Sequence, residues 1–290
     1  MRARVVAVLA VAAVGTATVL LSPGSAARAG DGGTPTVIAH RGASAYAPEN
    51  TLAAIDKAAE LGFTWVENDV QRTKDGELVV LHDDSLERTT DVEDVYPGRA
   101  PWKVRDFTAA EIARLDAGSW FSPAYAGARV PTLEQYMRRI EHDHEKLLLE
   151  IKSPELYPGI EQQTLKLLGN EGWLDGRHRE RLVVQSFSAD SVRTVHELKP
   201  AVTTAYLGAP EVAQLPRFAG FADLVNPSQG SLTREYVSAV HALHGPHGRP
   251  LGVFVWTVDD ASAARRVAAY GVDGIITNKP DVVRTALESD

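Results

Sequence analysis

Short β-branched runs alternate with helical patterns along most of the chain, and this alternation limits the possible fold more than any other feature. Helical patterns such as those at 50–61 and 189–198 lie between most of the runs. Eight strands that alternate with helices in about 260 residues are typical of one (β/α)8 barrel, whose usual size is about 250 residues. The eight predicted strands cover residues 36–39, 64–70, 147–151, 182–185, 203–207, 224–226, 252–256 and 274–277.

A doubly wound open sheet is the alternative architecture for such a pattern. That fold usually has fewer strands, and no Gly-x-Gly-x-x-Gly motif follows the first strand of this sequence. The (β/α)8 TIM barrel is therefore the predicted fold, as a single domain over residues 36–288. A further strand at 78–81 is predicted to form a hairpin with the second strand, because Asp75-Gly76 is a turn sequence.

One long connection interrupts the alternation. Residues 83–131 are charged, contain proline and glycine, and include only one predicted helical segment, at 109–115. Connections of this length in a compact domain are usually functional. We therefore predict an insertion after the second strand that contributes to function.

The first 30 residues have the pattern of an export signal. Two arginines precede an apolar run at 5–21, and Ala27 and Ala29 occupy the small-residue positions before a cleavage point. We expect residues 1–29 to be a signal peptide and the mature, secreted protein to begin at Gly30. A retained N-terminal anchor is the alternative, because the apolar run is at the lower limit of a bilayer span.

The composition excludes several classes of function. The chain has 38 acidic and 30 basic residues, and its net charge of −8 would on average repel nucleic acid. It has no cysteine, which excludes thiol nucleophiles, iron–sulfur clusters and cysteine-ligated zinc. It also lacks a Gly-x-Ser-x-Gly elbow and a Walker loop, so the commonest hydrolase and nucleotide-hydrolase mechanisms are excluded.

Polar residues lie at the carboxyl ends of the predicted strands, where a barrel of this type has its active site. Glu67 and Asp69 share one face of the second strand, and Glu150 and Lys152 share one face of the third. Burial of carboxylates among apolar residues is costly unless something neutralises them. A divalent cation is the simplest remedy, and all-oxygen ligation favours Ca²⁺ or Mg²⁺ over zinc. Core salt bridges to Arg41 or Lys152 are the alternative, but they account for only one or two of the carboxylates.

His40 and His82 are the candidate proton carriers. Each directly follows an apolar strand, which by itself is more typical of a structural histidine. Arg41 next to His40, and Asp83 next to His82, favour a functional site instead.

A series of short motifs runs along the chain from about residue 36 to residue 281. These motifs are IAHRG at 38–42, APENT at 47–51, VENDV at 66–70, KDG at 74–76, VVLHD at 79–83, LERTT at 86–90, LDAGSWF at 115–121, VPTLE at 130–134, LEIK at 149–152, QSF at 185–187, WTV at 256–258 and GVDGIITNKP at 271–280. Together and in this order they resemble the glycerophosphodiester phosphodiesterase family. Each motif is weak alone, but their number and order make the resemblance specific.

The resemblance implies a (β/α)8 barrel in which the segment at about 83–131 is the family's insertion over the site. Trp256 is expected to contact glycerol carbons or a head group, or else to close the barrel core. Asn68 stands where the family usually has an apolar residue, but the strand directs it away from the site. The other implied roles belong to the acid–base pair His40 and His82, the ligands Glu67, Asp69 and Glu150 of one Ca²⁺ or Mg²⁺ ion, and the phosphate contacts Arg41 and Lys152.

The activity that the resemblance implies is hydrolysis of glycerophosphodiesters to sn-glycerol 3-phosphate and an alcohol such as choline or ethanolamine. One alternative is a phospholipase D-type enzyme acting on lysophospholipids, although such enzymes generally lack the insertion and carry disulfides. The other is a non-enzymatic exported binding protein for glycerophospho-compounds, against which the retained histidines, carboxylates and Lys152 argue. The expected partner is thus a small-molecule substrate, without nucleic acid and without a stable membrane anchor after signal cleavage.

Overall fold

Strands and helices alternate in the computed structural model of the protein, which describes residues 33–176 and 180–289. The signal peptide expected at 1–29 lies outside the described residues. The strands are β1 (Thr36–Ala39), β2 (Trp65–Arg72), β3 (Leu78–Val80), β4 (Lys146–Ile151), β5 (Leu182–Ser186), β6 (Thr203–Leu207), β7 (Leu224–Asn226), β8 (Phe254–Val255) and β9 (Gly274–Thr277).

All strands except β3 form one parallel sheet in the order β7-β6-β5-β4-β2-β1-β9-β8. Isolated parallel bridges from Leu224 to Gly252 and from Ser228 to Trp256 join β7 to the β8 segment, so the barrel is nearly closed. β3 pairs antiparallel with β2 as the predicted hairpin. The predicted (β/α)8 barrel is confirmed. β8 is shorter than the strand predicted at 252–256, because both ends of that run make single bridges rather than a continuous ladder.

Helices follow most strands, and several begin at a side-chain cap. The helices of the described residues are α1 (Leu52–Glu60), α2 (Val92–Val95), α3 (Ala109–Ile112), α4 (Leu133–His142), α5 (Ile160–Asn170), α6 (Ala189–Leu198), α7 (Leu215–Phe218), α8 (Arg234–His241), α9 (Ala261–Ala268) and α10 (Pro280–Glu288). Thr132 and Gln135 form a capping box at the start of α4, which satisfies backbone N–H groups that the helix cannot pair internally. Over the described ranges, no helix is long and apolar enough to cross a bilayer.

An apolar layer inside the barrel supports a polar layer above it. One side chain from each barrel strand enters this inner cluster, for example Ile38, Trp65 and Leu148. The next residue on the same face of a strand lies two positions later. His40 therefore follows Ile38, and Glu150 follows Leu148, at the carboxyl ends of the strands.

The insertion has a small core of its own between the β2–β3 hairpin and α4. Leu86, Val92, Phe107 and Leu115 are fully buried in this core. The prediction of a single helical segment at 109–115 is wrong. α3 covers only the first part of that segment, and α2 and two 3₁₀ turns are also present. Helices of three or four residues are too short to produce a 3.6-residue apolar period, so the sequence pattern did not indicate them.

Asn68 is a buried polar residue in the apolar layer between the barrel strands and the helices. It is fully buried, and among the described residues neither its Nδ2 nor its Oδ1 has a hydrogen-bond partner. Val66 and Val70, two positions away on the same face of β2, belong to the apolar cluster of that layer. Asn68 thus points away from Glu67 and Asp69, as the strand period predicts.

Asn68→Val should raise the free energy of unfolding by about 1–3 kcal/mol, because a buried amide without partners loses its hydration and gains nothing. Valine also suits a buried β-strand, to which its branched side chain gives apolar contacts. Denaturant unfolding of the variant measures the effect, and the exposed Asn170→Val at the end of α5 is the control, expected within about 0.5 kcal/mol of wild type. A less stable Asn68→Val protein would contradict this description of the layer.

Candidate active site

Seven of the eight predicted site residues line one cavity at the carboxyl end of the barrel. Asp69 does not line the cavity but lies buried beside it, within ion-pair distance of Arg41 and Lys152. The predicted residues that line the cavity are His40, Arg41, Glu67, His82, Glu150, Lys152 and Trp256. The structure thus brings together all of the residues that the sequence singled out.

Three buried carboxylates form a compact cluster beneath this cavity. Glu67, Asp69 and Glu150 each offer one oxygen, and these oxygens lie within 4.8 Å of one another. The parallel pairing of β2 with β4 produces the cluster, because it sets Asp69 opposite Glu150. Asp69 Oδ1 is buried and accepts no hydrogen bond from the described residues. An oxygen-only cluster with such an unsatisfied acceptor fits a hard divalent cation.

Burial and mutual repulsion raise the pKa of two of these carboxyl groups. Burial, reinforced by the charges of Asp69 and Glu150, raises the pKa of Glu67 well above its ordinary value. Burial and the charge of Asp69 raise the pKa of Glu150 to about 8. Burial alone would also raise the pKa of Asp69, but Arg41 and Lys152 hold it below its ordinary value. The metal-free cluster therefore retains protons near neutral pH, which a bound cation would displace.

Two cations lie against the cluster. Arg41 Nε lies 3.4 Å from Asp69 Oδ2, and the Arg41 backbone N–H donates to Glu67 Oε2 at 3.0 Å. Lys152 Nζ lies 2.9 Å from Glu150 Oε1 and 3.7 Å from Asp69 Oδ1. The salt bridges considered as an alternative to a metal thus exist for Asp69 and Glu150. Among the described residues, no lysine or arginine side chain lies within salt-bridge distance of Glu67.

A tight turn after β1 brings His40 and Arg41 over the carboxylates. Arg41 has a φ of 55° and Gly42 has a φ of 81°, both in the left-handed region. A Cβ atom on Gly42 would lie 2.5 Å from Ala54 Cβ and 2.6 Å from its carbonyl carbon. Glycine is therefore required where the turn passes the first turns of α1.

The hydrogen bonds of His40 define which of its nitrogens faces the cavity. His40 Nδ1 lies 2.7 Å from Asn278 Oδ1, and the Asn278 amide donates its Nδ2–H to Asp259 at 2.7 Å. The amide oxygen can only accept, so the His40 proton is on Nδ1 and Nε2 is the free nitrogen. His40 Nε2 lies 3.9 Å from Glu67 Oε2. Burial, together with the charge of Arg41, lowers the pKa of His40 to about 4, so the ring is neutral at pH 7.

His82 is oriented by a carboxylate rather than by an amide. Its Nδ1 lies 2.7 Å from Asp83 Oδ1, which leaves Nε2 as the free nitrogen of a ring that lines the cavity. The hydrogen bond from His82, together with Arg88, holds the pKa of Asp83 well below its ordinary value. Asp83 is thus an anion at neutral pH and holds the His82 ring through Nδ1.

Trp256 fits both interpretations that the sequence left open. It packs against the inner cluster of the barrel, and its Nε1 donates to the Asn226 carbonyl at 2.8 Å. It also lines the cavity, where the half-exposed Phe187 ring meets it edge-on at 5.5 Å. Lys152 Nζ lies 5.5 Å from the centre of the Phe187 ring.

The residues that orient the site were not assigned roles from the sequence. Asn50 donates to Asp69 Oδ2 at 2.8 Å, and Glu49 accepts from Arg41 Nη1 at 2.9 Å. Asn278, Asp83 and Phe187 complete this set. Their signals were present, because all five lie within the matching motifs, and in addition Asn278 ends a barrel strand and Asp83 follows His82.

Comparison with known proteins agrees with this geometry. The model of the glycerophosphoryl diester phosphodiesterase family matches residues 40–282. A glycerophosphodiester phosphodiesterase of Bacillus subtilis is 34% identical over 301 aligned residues, which cover 97% of each chain. Another, from Caldanaerobacter subterraneus, is 37% identical over 256 residues, which cover 85% of this chain and 95% of the relative.

A solved structure is also similar over nearly the whole barrel. The Oleispira antarctica phosphodiesterase in complex with its product sn-glycerol-3-phosphate has a TM-score of 0.76 and 30% identity, covering 88% of this chain and 98% of its own. The family match spans the site from His40 to beyond Asn278. The chain therefore belongs to the glycerophosphoryl diester phosphodiesterase family and is a phosphoric diester hydrolase built on a (β/α)8 barrel.

Proposed function

We propose that this enzyme hydrolyses glycerophosphodiesters to sn-glycerol 3-phosphate and an alcohol, in a metal-dependent reaction with His40 and His82 as the acid–base pair. One observation carries the proposal: a single cavity contains both histidines, each with a free Nε2, beside a buried oxygen cluster and two cations. The product named for the Oleispira antarctica relative, sn-glycerol-3-phosphate, supports the proposed product.

Hydrolysis of a phosphodiester requires proton transfer at two oxygens. One histidine removes a proton from the attacking oxygen, which belongs to water or to the glycerol 2-hydroxyl, and the other protonates the departing alcohol. Attack by the 2-hydroxyl would leave a cyclic glycerol phosphate, which a water molecule then opens to sn-glycerol 3-phosphate. Burial lowers the pKa of His40 to about 4, so its ring is neutral at pH 7 and its free Nε2 can accept a proton. His82, whose Nδ1 lies 2.7 Å from the Asp83 carboxylate, is then left for the other transfer. We therefore assign His82 as the general acid and His40 as the general base.

Charge on the phosphoryl oxygens must also be neutralised. Arg41 and Lys152 line the cavity and supply two positive charges there. Glu67, Asp69 and Glu150 would hold a Ca²⁺ or Mg²⁺ ion, which when bound supplies further positive charge to the phosphoryl group.

The two alternatives receive no support from the structure. The inserted segment that distinguishes this chain from lysophospholipid-cleaving phospholipase D-type enzymes is present and packed on its own core. A non-enzymatic binding protein has no need of two oriented histidines with free nitrogens. Assays of glycerophosphocholine and lysophosphatidylcholine with the same preparation separate the three functions, and we expect turnover of the former only.

We also propose that the protein is exported, on the basis of the N-terminal pattern at residues 1–29. The intact mass of the protein in culture supernatant should correspond to a chain that begins at Gly30. A full-length, membrane-bound species would contradict export.

Removal of divalent cations with EDTA should abolish hydrolysis of glycerophosphocholine, and Ca²⁺ or Mg²⁺ should restore it. Glu67→Gln should bind the ion more weakly because the amide lacks the charge that holds a cation. It should stay folded, because glutamine resembles the protonated carboxyl group that burial favours at this position in the metal-free cluster. The exposed Glu197→Gln in α6 is the control and should keep its response to metal. Full activity of a verified metal-free preparation would contradict the proposal.

The same metal test has a readout that does not depend on activity. The raised pKa of Glu150 stabilises the metal-free native state fully below its unfolded-state value of about 4.5, and this contribution is lost as the pH rises through about 8. Stabilisation by Ca²⁺ should therefore be larger at about pH 8 than at about pH 5, because fewer Glu150 carboxyl groups then carry a proton that the ion must displace. Glu150→Gln should flatten this dependence. Equal Ca²⁺-induced shifts in Tm at both pH values would refute the predicted pH dependence.

Replacement of either histidine by alanine should reduce turnover of glycerophosphocholine by about 10²–10⁴-fold, the usual contribution of a positioned proton carrier. A nitrophenyl ester of glycerol phosphate has a good leaving group that needs little protonation. It should therefore restore much of the activity of His82→Ala and leave His40→Ala impaired. The exposed His142→Ala in α4 is the control and should behave as wild type.

Near wild-type rates in both alanine variants would overturn the two-histidine mechanism. If the nitrophenyl ester restored the activity of His40→Ala and not that of His82→Ala, the assigned roles of general acid and general base would be reversed.

A further inference from the structure

We propose that Arg88, in the inserted segment, is a positioning residue that orients His82 through Asp83 and Arg41 through Glu49. This role rests on the proposed function, because it concerns the same reaction. Arg88 itself lies outside the cavity lining and acts through its partners.

The Arg88 guanidinium holds two carboxylates at once. Its Nε donates to Asp83 Oδ2 at 2.6 Å, and its Nη2 donates to Asp83 Oδ1 at 3.1 Å. Its Nη1 donates to Glu49 Oε2 at 2.8 Å, and Nη2 also donates to Glu49 Oε1 at 2.7 Å. A planar fork with two bidentate partners fixes their orientation as well as their distance, which the single ammonium of lysine cannot do.

Each of these carboxylates also contacts a residue that lines the cavity. Asp83 Oδ1 also contacts His82 Nδ1 at 2.7 Å. Glu49 Oε1 also accepts from Arg41 Nη1 at 2.9 Å. Arg88 of the insertion therefore links His82, which is proposed to transfer a proton, to Arg41, which is proposed to contact phosphate.

The main chain of the His82 segment is held separately. Gln71, buried on β2, donates through Nε2 to the carbonyl groups of Leu81, His82 and Asp83. Loss of Arg88 should thus leave the backbone in place and release only the side chains. Arg88 is also 44% exposed, and ion pairs of such residues contribute little to stability.

Glu49 is suited to this arrangement because it separates two like charges. Its side chain is only 12% exposed, and burial alone would raise its pKa. Its hydrogen bond with Arg88 and the charge of Arg41 lower that pKa below its ordinary value, so Glu49 stays ionised. Without Arg88, Glu49 would still contact Arg41 and Asp83 would still contact His82. No group would then fix these two carboxylates relative to each other.

Steady-state kinetics with glycerophosphocholine tests the proposal. Arg88→Ala should lower kcat, raise KM and reduce kcat/KM by about 10- to 100-fold, the scale expected for misplaced catalytic groups. Asp83→Asn should mainly lower kcat, and Glu49→Gln should mainly raise KM. The double variants with Arg88→Ala should lose less than the product of the single losses, because the residues act as one network.

Arg99→Ala is the matched control. Arg99 also lies in the inserted segment, pairs with Glu111 at 2.6 Å and donates to the Asp106 carbonyl. Within the described part of the chain, none of its hydrogen bonds or ion pairs is with a residue that lines the cavity. Its replacement should leave kcat and KM unchanged. Because Arg88 is accessible to solvent, millimolar guanidinium chloride should restore part of the Arg88→Ala activity, and ammonium chloride at the same ionic strength should not.

Histidine ¹⁵N NMR tests the same positioning without turnover. In the neutral form of the ring, His82 should be the Nδ1–H tautomer in the wild-type protein and a mixture of tautomers in Arg88→Ala. An unchanged tautomer, or kinetics that match Arg99→Ala, would overturn the proposal. A wild-type protein that hydrolyses no glycerophosphodiester would overturn the proposed function instead, and the NMR comparison would still decide whether Arg88 orients His82.

Discussion

The rest of the site depends on the burial of an excess of negative charge at the mouth of the barrel. Glu67, Asp69 and Glu150 are almost fully removed from water. Such a cluster is unfavourable alone, and each neighbouring feature reduces its cost: the Arg41 backbone N–H, the Lys152 ammonium and the retained protons. The same unfavourable field suits the site to a divalent cation.

The fold explains why this charge is tolerated. The apolar inner cluster closes the barrel beneath the carboxylates, and the parallel register of β2 and β4 holds their backbones rigidly. The inserted segment then supplies side chains that orient His82, which the barrel strands do not provide. It carries Asp83 and Arg88, which orient His82 from the side, while Gln71 holds the His82 main chain from below.

Strand periodicity made the fold and the central residues predictable. Glu67 and Asp69, two apart among apolar neighbours, could belong only to one face of a strand, and the structure places both there. The contacts that orient the side chains of the site were not predictable from strand periodicity. Asn278 lies 238 positions from His40 along the chain, and no local pattern indicates that their side chains meet. The short helices of the insertion were missed because three or four residues carry no period.

The central claim is that one cavity binds the cation and the phosphodiester together between the two histidines. A crystal structure of His82→Ala with Ca²⁺ and glycerophosphocholine tests it most directly, because the slow variant retains the uncleaved substrate. We expect an anomalous peak for Ca²⁺ among Glu67, Asp69 and Glu150, with the phosphate beside Arg41 and Lys152 and within reach of His40 Nε2. A cation bound elsewhere, or a phosphate that contacts neither basic residue, would contradict the claim.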